Sequence, residues 1–216
     1  MVRNSTALRF SRGLLTFFGE TPSPHPVPRH ALQAAFSALG FLSQALLKNN
    51  SLKTYAAAGW PPLIDPKDVG PVIADVGHQR FYNDGETHGY LKVDKEVFDD
   101  AIQTIRESGP DLSFVYFCGV DEAGHNHGSV DAPYFEAVTR IDNYVKELHS
   151  ILQESGEAWN LIVVTDHGHR DEGGHGGDSA QERASFVIAH GINKAHPIWP
   201  IDLQPHQLSG EILKLI

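Results

Sequence analysis

The sequence predicts a three-layer α/β domain with a largely parallel sheet and helices on both of its faces. Residues 113–118 and 161–165 are continuous apolar runs, the pattern of strands that are buried on both faces. Between them, apolar residues follow Asp131 at helical spacing, which gives the order strand, long helix, strand. Such a unit joins two parallel strands through a crossover helix. The composition agrees, because 41% hydrophobic and 20% charged residues in a chain of 216 residues suit one globular core.

The first part of the chain is expected to be less regular. Residues 1–28 are predicted to be an N-terminal segment and linker, because prolines alternate through residues 19–28, and residues 29–216 are predicted to form the domain. The apolar run at residues 14–18 is too short to span a membrane and lacks a clear cleavage site. We therefore predict neither a membrane span nor a signal peptide, and expect a soluble protein.

The remaining elements follow from periodicity and turn residues. The pattern predicts a helix over residues 30–48, loops with short strands at best over residues 59–90, and a further helix capped by Asp94. After a glycine-rich loop, it predicts a strand at residues 184–189 and a short helix at residues 211–216.

The charge of the chain limits its partners. A net charge of −10 argues against binding to a nucleic-acid polymer, because phosphate backbones require a basic surface. A small phosphoester substrate remains compatible, since bound metal ions would reverse the charge locally. The single cysteine, Cys118, excludes an intrachain disulfide, and its apolar surroundings favour a buried hydrophobic role over that of a nucleophile. Oligomeric state and compartment are not determined by these features.

Carboxylate and imidazole side chains follow both strands of the predicted unit. Asp121 and His125 come after the first strand, and Asp166 and His167 come directly after the second. Because parallel strands end at the same edge of a sheet, these side chains are expected to meet there, and the glycine-rich loop can return His175 to the same place. Oxygen and nitrogen ligands together suit Zn, Mn or Fe better than Ca or Mg. The sequence therefore predicts a metal centre.

Other polar residues near these motifs leave alternatives open. His127 and His169 each lie two residues beyond a preferred ligand, and are either additional ligands or groups that support the ligands or face the substrate. Arg170 and Arg183 suit either a phosphate oxygen or the solvent.

The motifs resemble those of a known family. Asp121-x-x-x-His125, Asp166-His167-Gly168 and His175-Gly176-Gly177 are similar to the metal-binding motifs of the alkaline phosphatase superfamily, and look most like its type I phosphodiesterases and nucleotide pyrophosphatases. The short spacing of the last two motifs also resembles that of glycosylphosphatidylinositol (GPI) ethanolamine-phosphate transferases. The resemblance implies two divalent ions, Zn first with Mn or Fe as alternatives. Asp121, His125 and His175 would hold one ion, and Asp166 and His167 the other.

The sequence also departs from that family. Its members hold the second ion with a further Asp at the end of an N-terminal strand and with a Ser or Thr nucleophile. No Asp precedes Asp65 in this chain, so the N-terminal half of the usual fold is expected to be absent. Ser51, Thr54 and Thr87 are the hydroxyls considered as nucleophiles, but none has a supporting context, and the catalytic residue is left unassigned.

The leading hypothesis is a metal-dependent hydrolase of a small phosphoester, either a phosphodiester or a phosphomonoester. The first alternative is a non-catalytic, truncated metal-binding remnant, which the missing nucleophile favours. The second is a phosphoethanolamine transferase-like protein, which would use the same metals.

Overall fold

The structure, a computed structural model, describes residues 12–18, 40–64, 73 and 77–216. Six strands in these residues form one sheet in the order β3-β2-β4-β1-β5-β6. All neighbouring pairs are parallel except β5 and β6, which are antiparallel. The strands are β1 (Arg12–Phe18), β2 (Thr54–Ala58), β3 (His78–Tyr82), β4 (Leu112–Phe117), β5 (Trp159–Thr165) and β6 (Val187–Ile192).

Helices cover both faces of this sheet, which confirms the predicted three-layer α/β architecture. Side chains of a strand point alternately to opposite faces, so a single strand can supply both cores. Ala56, Phe114 and Ile162 face one core together with α1 and α7, whereas Ala57 and Val115 face the other together with α4 and α6. The helices are α1 (Phe41–Lys48), α2 (Pro61–Ile64), α3 (Gly85–His88), α4 (Tyr90–Glu107), α5 (Gly119–His127), α6 (Ala132–Glu154) and α7 (Leu208–Leu213). Within the described ranges, none of them has both the length and the apolar character that crossing a bilayer requires.

The strand β1 occupies the middle of the sheet, between β4 and β5. Its register places Phe18 beside Phe117 on one side and beside Thr165 on the other. The carboxyl ends of these three strands therefore lie in line at one edge of the sheet. This run belongs to the predicted N-terminal segment, for which the sequence indicates neither a membrane span nor a signal peptide and predicts no strand.

Several predicted elements are present, with shifted boundaries. The strands predicted at residues 113–118 and 161–165 are β4 and β5, they are parallel as expected, and α6 is the helix between them. The predicted strand at residues 184–189 begins and ends three residues later, as β6, and the predicted C-terminal helix lies earlier, as α7. Of the helix predicted over residues 30–48, only residues 40–48 are described, and residues 41–48 of these form α1. The linker at residues 19–28 lies outside the described residues.

Two predictions were wrong. Asp94 does not cap α4 but lies inside it and is fully buried, because its carboxylate accepts hydrogen bonds from another part of the chain. Residues 59–90 hold more regular structure than their Gly, Pro and Asp content indicates, since they include α2, β3, α3 and the start of α4. Asp84 caps α3, with its carboxylate accepting hydrogen bonds from Glu86 N and Thr87 N.

Candidate metal centre

The candidate site lies at the sheet edge where β4, β1 and β5 end. The chain leaves β4 and enters α5 almost at once, so that Asp121 falls in the first turn of the helix and is 3% exposed. His125 follows one turn later, on the same side of α5. Directly after β5, the chain supplies His167 and His169, and the glycine-rich loop that follows brings in His175.

One carboxylate oxygen, Asp121 Oδ1, lies near four imidazoles. It is 2.9 Å from Nε2 of His169, 3.6 Å from Nε2 of both His125 and His175, and 3.9 Å from Nε2 of His167. His125 Nε2 and His175 Nε2 are themselves 3.0 Å apart. The structure thus brings four of the five sequence-predicted ligands around a single point.

The fifth predicted ligand, Asp166, lies at the margin of this group. Its Oδ1 atom is 3.8 Å from His167 Nε2, and it also accepts a hydrogen bond from the backbone N–H of His167. Its side chain is partly exposed, in contrast to that of Asp121. Asp166 therefore lies beside His167, the residue with which the family resemblance pairs it.

The spacing of the inner ligand atoms fits a bound metal ion. Asp121, His167, His169 and His175 each offer one ligand atom, and these four atoms all lie within 4.8 Å of one another. Two ligand atoms that each lie about 2.0–2.2 Å from a tetrahedral ion are about 3.4 Å from each other, which is compatible with the spacing of these four atoms. The described residues therefore contain an Asp/His cluster that could hold a metal ion.

His169 is the member that sequence reasoning did not rank among the ligands. Its imidazole packs against Gly124 of α5, where a Cβ atom would overlap the His169 ring. The glycine between Asp121 and His125 is thus the signal for it, because it opens space for a ring from another segment. The other alternative, His127, is exposed near the end of α5 and lies outside the group that could hold a metal.

The loop that carries His169 and His175 is fixed by hydrogen bonds. Gly174 N donates to Gly124 O over 3.4 Å, and Ser129 N donates to Arg170 O over 3.2 Å, so the loop is attached to α5. Glu182 accepts hydrogen bonds from Gly177 N at 2.8 Å and from the Ser179 hydroxyl at 2.6 Å.

Of the two arginines considered for phosphate binding, Arg170 has its Nε atom 3.6 Å from Glu182 Oε1, which engages it within the loop. Arg183 is exposed. Neither residue lines the cavity described below, within the part of the chain that is described. Glu182 carries no sequence signal that would have predicted its role.

The surroundings of His125, His169 and His175 favour their neutral imidazole form. The pKa of His169 is lowered to about 4 and that of His175 to about 3, in both cases by burial first and then by the neighbouring imidazoles. The pKa of His125 is also lowered, by burial first and then by His167. A neutral imidazole offers the lone pair that a metal ion needs, so the site is prepared for metal at neutral pH.

In the presence of a chelator, the free energy of unfolding is expected to fall as the pH is lowered from about 7 to about 5, a range above the pKa values of most carboxylates. The imidazoles of His169 and His175 have lower pKa values in the folded than in the unfolded chain, so the unfolded chain binds protons first. Their contribution is complete above about pH 6.5 and is lost as the pH approaches the folded pKa values. Melting temperatures across this range measure it.

The matched variants for this titration are His175→Gln, which should flatten the pH dependence of the melting temperature, and His206→Gln at an exposed position, which should preserve it. A melting temperature of the parent protein that is constant or rises on acidification would contradict the assignment of neutral, buried imidazoles.

A cavity of about 450 Å³ opens beside the cluster. Asp121, His167 and His169 of the cluster line it together with Thr165 and Asp166, and the cavity continues between α6 and β6. Its other walls are largely apolar and include Val138, Val145, Leu161, Val163 and Ile188. Open space therefore adjoins the candidate ligands, as a substrate requires.

Comparison with known proteins identifies relatives of this chain. Residues 34–183 match the family model of type I phosphodiesterase / nucleotide pyrophosphatase. GPI ethanolamine phosphate transferase 3 of Schizosaccharomyces pombe is 34% identical over 107 residues, which cover 49% of this chain and 11% of that protein. The catalytic subunit of human GPI ethanolamine phosphate transferase 3 is 24% identical over 162 residues, which cover 74% of this chain and 15% of that protein.

The chain thus aligns with only a small part of the length of these relatives. Among solved structures, phosphoglycerate mutase of Leishmania mexicana is similar in fold, with a TM-score of 0.58 and 12% identity over 80% of this chain and 36% of that one. At that identity the likeness concerns the fold alone. Since the family model spans more than half of the chain, the protein belongs to the type I phosphodiesterase/nucleotide pyrophosphatase family of the alkaline phosphatase superfamily.

Proposed function

We propose that this domain performs metal-dependent cleavage of small phosphodiesters, with two divalent ions, of which Zn²⁺ is the first choice and Mn²⁺ or Fe²⁺ the alternatives. The observation that carries the proposal is the gathering of neutral imidazoles around Asp121 Oδ1 beside an open cavity. One carboxylate oxygen with imidazole nitrogens is a ligand set that suits Zn²⁺. Following the family resemblance, we assign Asp121, His125 and His175 to one ion and Asp166 and His167 to the other. His167 also lies close to the first group, since its ligand atom is within 4.8 Å of those of Asp121, His169 and His175.

The protein's own residues would act mainly by position and charge. Bound divalent ions would polarise the phosphoryl oxygens and offset their negative charge. Asp121 supplies the carboxylate that offsets part of the ions' charge, and the low pKa values of the imidazoles keep their lone pairs available. His169, 2.9 Å from Asp121, either joins the inner ligands or holds that carboxylate in place.

The three hydroxyls considered as nucleophiles lie away from the cavity wall. Thr54 begins β2 and so lies at the opposite edge of the sheet from the site. The Ser51 hydroxyl donates to Asn49, and the Thr87 hydroxyl donates to Asp84 in the cap of α3. We therefore propose no side-chain nucleophile among these three, and treat water as the simplest acceptor.

Transfer of ethanolamine phosphate to an alcohol is the second candidate. Two relatives that align with this chain are named GPI ethanolamine phosphate transferases. Transfer and hydrolysis share the same electrophile and the same metals, and differ only in whether an alcohol or water accepts the phosphoryl group. The choice of acceptor is therefore what an experiment must separate.

The test is turnover of an aryl phosphodiester and an aryl phosphomonoester by the purified chain, with and without a chelator, followed by re-addition of Zn²⁺ or Mn²⁺. We expect the chelator to lower turnover by about a hundredfold or more and added metal to restore it. If an added alcohol converts part of the product from the phosphate released by hydrolysis into its alkyl ester, transfer is favoured. Bound metal without turnover in either arm would overturn the enzymatic proposal and leave a metal-binding domain.

A further inference from the structure

We propose that Asp94 is a positioning residue for the metal centre, because its carboxylate fixes the start of α5, the helix that carries Asp121 and His125. The proposal rests on the metal-dependent function above. Asp94 belongs to none of the ligand motifs, and it lies on α4 and not on α5, which carries the ligands.

The contacts of Asp94 are directed at the backbone of α5. Its Oδ1 atom accepts a hydrogen bond from Cys118 N at 3.0 Å, and its Oδ2 atom accepts one from Gly119 N at 2.8 Å. These donors are the N–H groups at the N-terminus of α5, where helical N–H groups have no partner within the helix. The side chain of Cys118, at the capping position, does not itself cap α5. Asp94 therefore caps α5 from α4.

Gly119 is what allows this approach. A Cβ atom at this position would come 2.6 Å from Asp94 Oδ2 and 3.2 Å from Nη2 of Arg140. Arg140 belongs to α6, so helices α4, α5 and α6 meet at this one carboxylate. Any side chain at position 119 would push Asp94 away from the N–H groups that it holds.

The burial of the Asp94 carboxylate has a cost in desolvation. Burial raises the pKa of Asp94 to about 7, although the two N–H donors and the positive charge of Arg140 act in the opposite direction. An apolar side chain would fill the space without that desolvation cost. In return, the carboxylate fixes the orientation of the start of α5, because it binds two consecutive N–H groups at once.

The position of those N–H groups matters for the site. Asp121 lies two residues beyond Gly119, within the same first turn, so a displaced helix start displaces Asp121 as well. Metal sites tolerate ligand displacements of only about 0.2 Å in the metal–ligand distance. A loosened start of α5 should therefore weaken metal binding before it unfolds the domain.

The experiment measures metal affinity in Asp94→Asn and Asp94→Ala, by competition with a chromophoric chelator for Zn²⁺ and by the visible absorption of bound Co²⁺. The matched control is Val97→Ala, one turn further along α4, which is fully buried in the core but does not touch α5 through a hydrogen bond. We expect both Asp94 variants to bind Zn²⁺ about 10- to 100-fold more weakly and to alter the Co²⁺ spectrum. Val97→Ala should lower the melting temperature and leave both metal readouts unchanged.

The outcomes separate the two proposals. If Asp94→Asn binds Zn²⁺ with the parent affinity and an unchanged Co²⁺ spectrum, the positioning role is overturned, whatever its melting temperature. If the parent protein binds metal but turns over no phosphoester, the proposed function fails and the affinity comparison still decides the role of Asp94. If the parent protein binds neither metal, both proposals fail. Should Asp94→Ala not fold, the isosteric Asp94→Asn provides the decision.

Discussion

Asp121→Asn is expected to lower the affinity for Zn²⁺ by about a hundredfold or more, the largest effect of any single substitution in the site. Asp121 Oδ1 is the atom around which four imidazole Nε2 atoms lie at 2.9 to 3.9 Å. The amide that replaces it keeps the shape of the side chain but removes the negative charge. Of the carboxylates proposed as ligands, only the partly exposed Asp166 then remains to offset the charge of a dication.

The measurement is a Zn²⁺ titration against a competing chelator, with Glu122→Gln as the matched control. Glu122 is the next residue of α5, so the control removes the same charge from the same helix without touching the cluster. We expect the control to retain the parent affinity within about twofold. Equal losses in the two variants would mean that overall charge, not coordination by Asp121, sets the affinity.

Gly128→Ala is expected to lower the free energy of unfolding by about 2–4 kcal/mol, the sum of backbone strain and overpacking. Gly128 ends α5 with a φ of +82°, and a Cβ atom there would overlap the carbonyl oxygen of Asp171. Backbone cannot move aside as a flexible side chain can. Because Asp171 belongs to the loop that carries His169 and His175, metal affinity should fall together with stability.

Gly156→Ala is the control that isolates the strain. Gly156 also has a positive φ, +69°, but nothing lies within 4 Å of the position its Cβ would take. Its substitution should cost only the backbone term, about 1 kcal/mol, with unchanged metal affinity. Chemical denaturation of the three proteins measures the difference, and equal losses for both alanine variants would rule out the contact with Asp171.

The sequence was most informative where an apolar strand pattern is followed by a carboxylate or an imidazole side chain. The apolar runs before Asp121 and Asp166 predicted two parallel strands that end at the same edge, and both are present as β4 and β5. That topology alone accounts for the proximity of ligands more than forty residues apart in the chain. The return of His175 followed from the conformational freedom of the glycines between it and β5.

Other features depended on contacts that a sequence pattern does not encode. Asp94 has the form of a helix cap, and only the packing of α4 against the start of α5 gives its carboxylate other donors. The sequence did not decide whether His169 is a ligand or a supporting group, because its position depends on the space beside Gly124. The segment of β1 was too short and too isolated to predict as a central strand, since its partners lie far along the chain.

The central place of β1 has a consequence for how the molecule assembles. Its partners in β4 and β5 lie about a hundred and about a hundred and fifty residues away, so both sides of its ladder close very large loops. Without β1, β4 and β5 would lack the strand that joins them in the sheet. Assembly of the ligand cluster from Asp121 and His167 should therefore depend on these long-range pairings of β1.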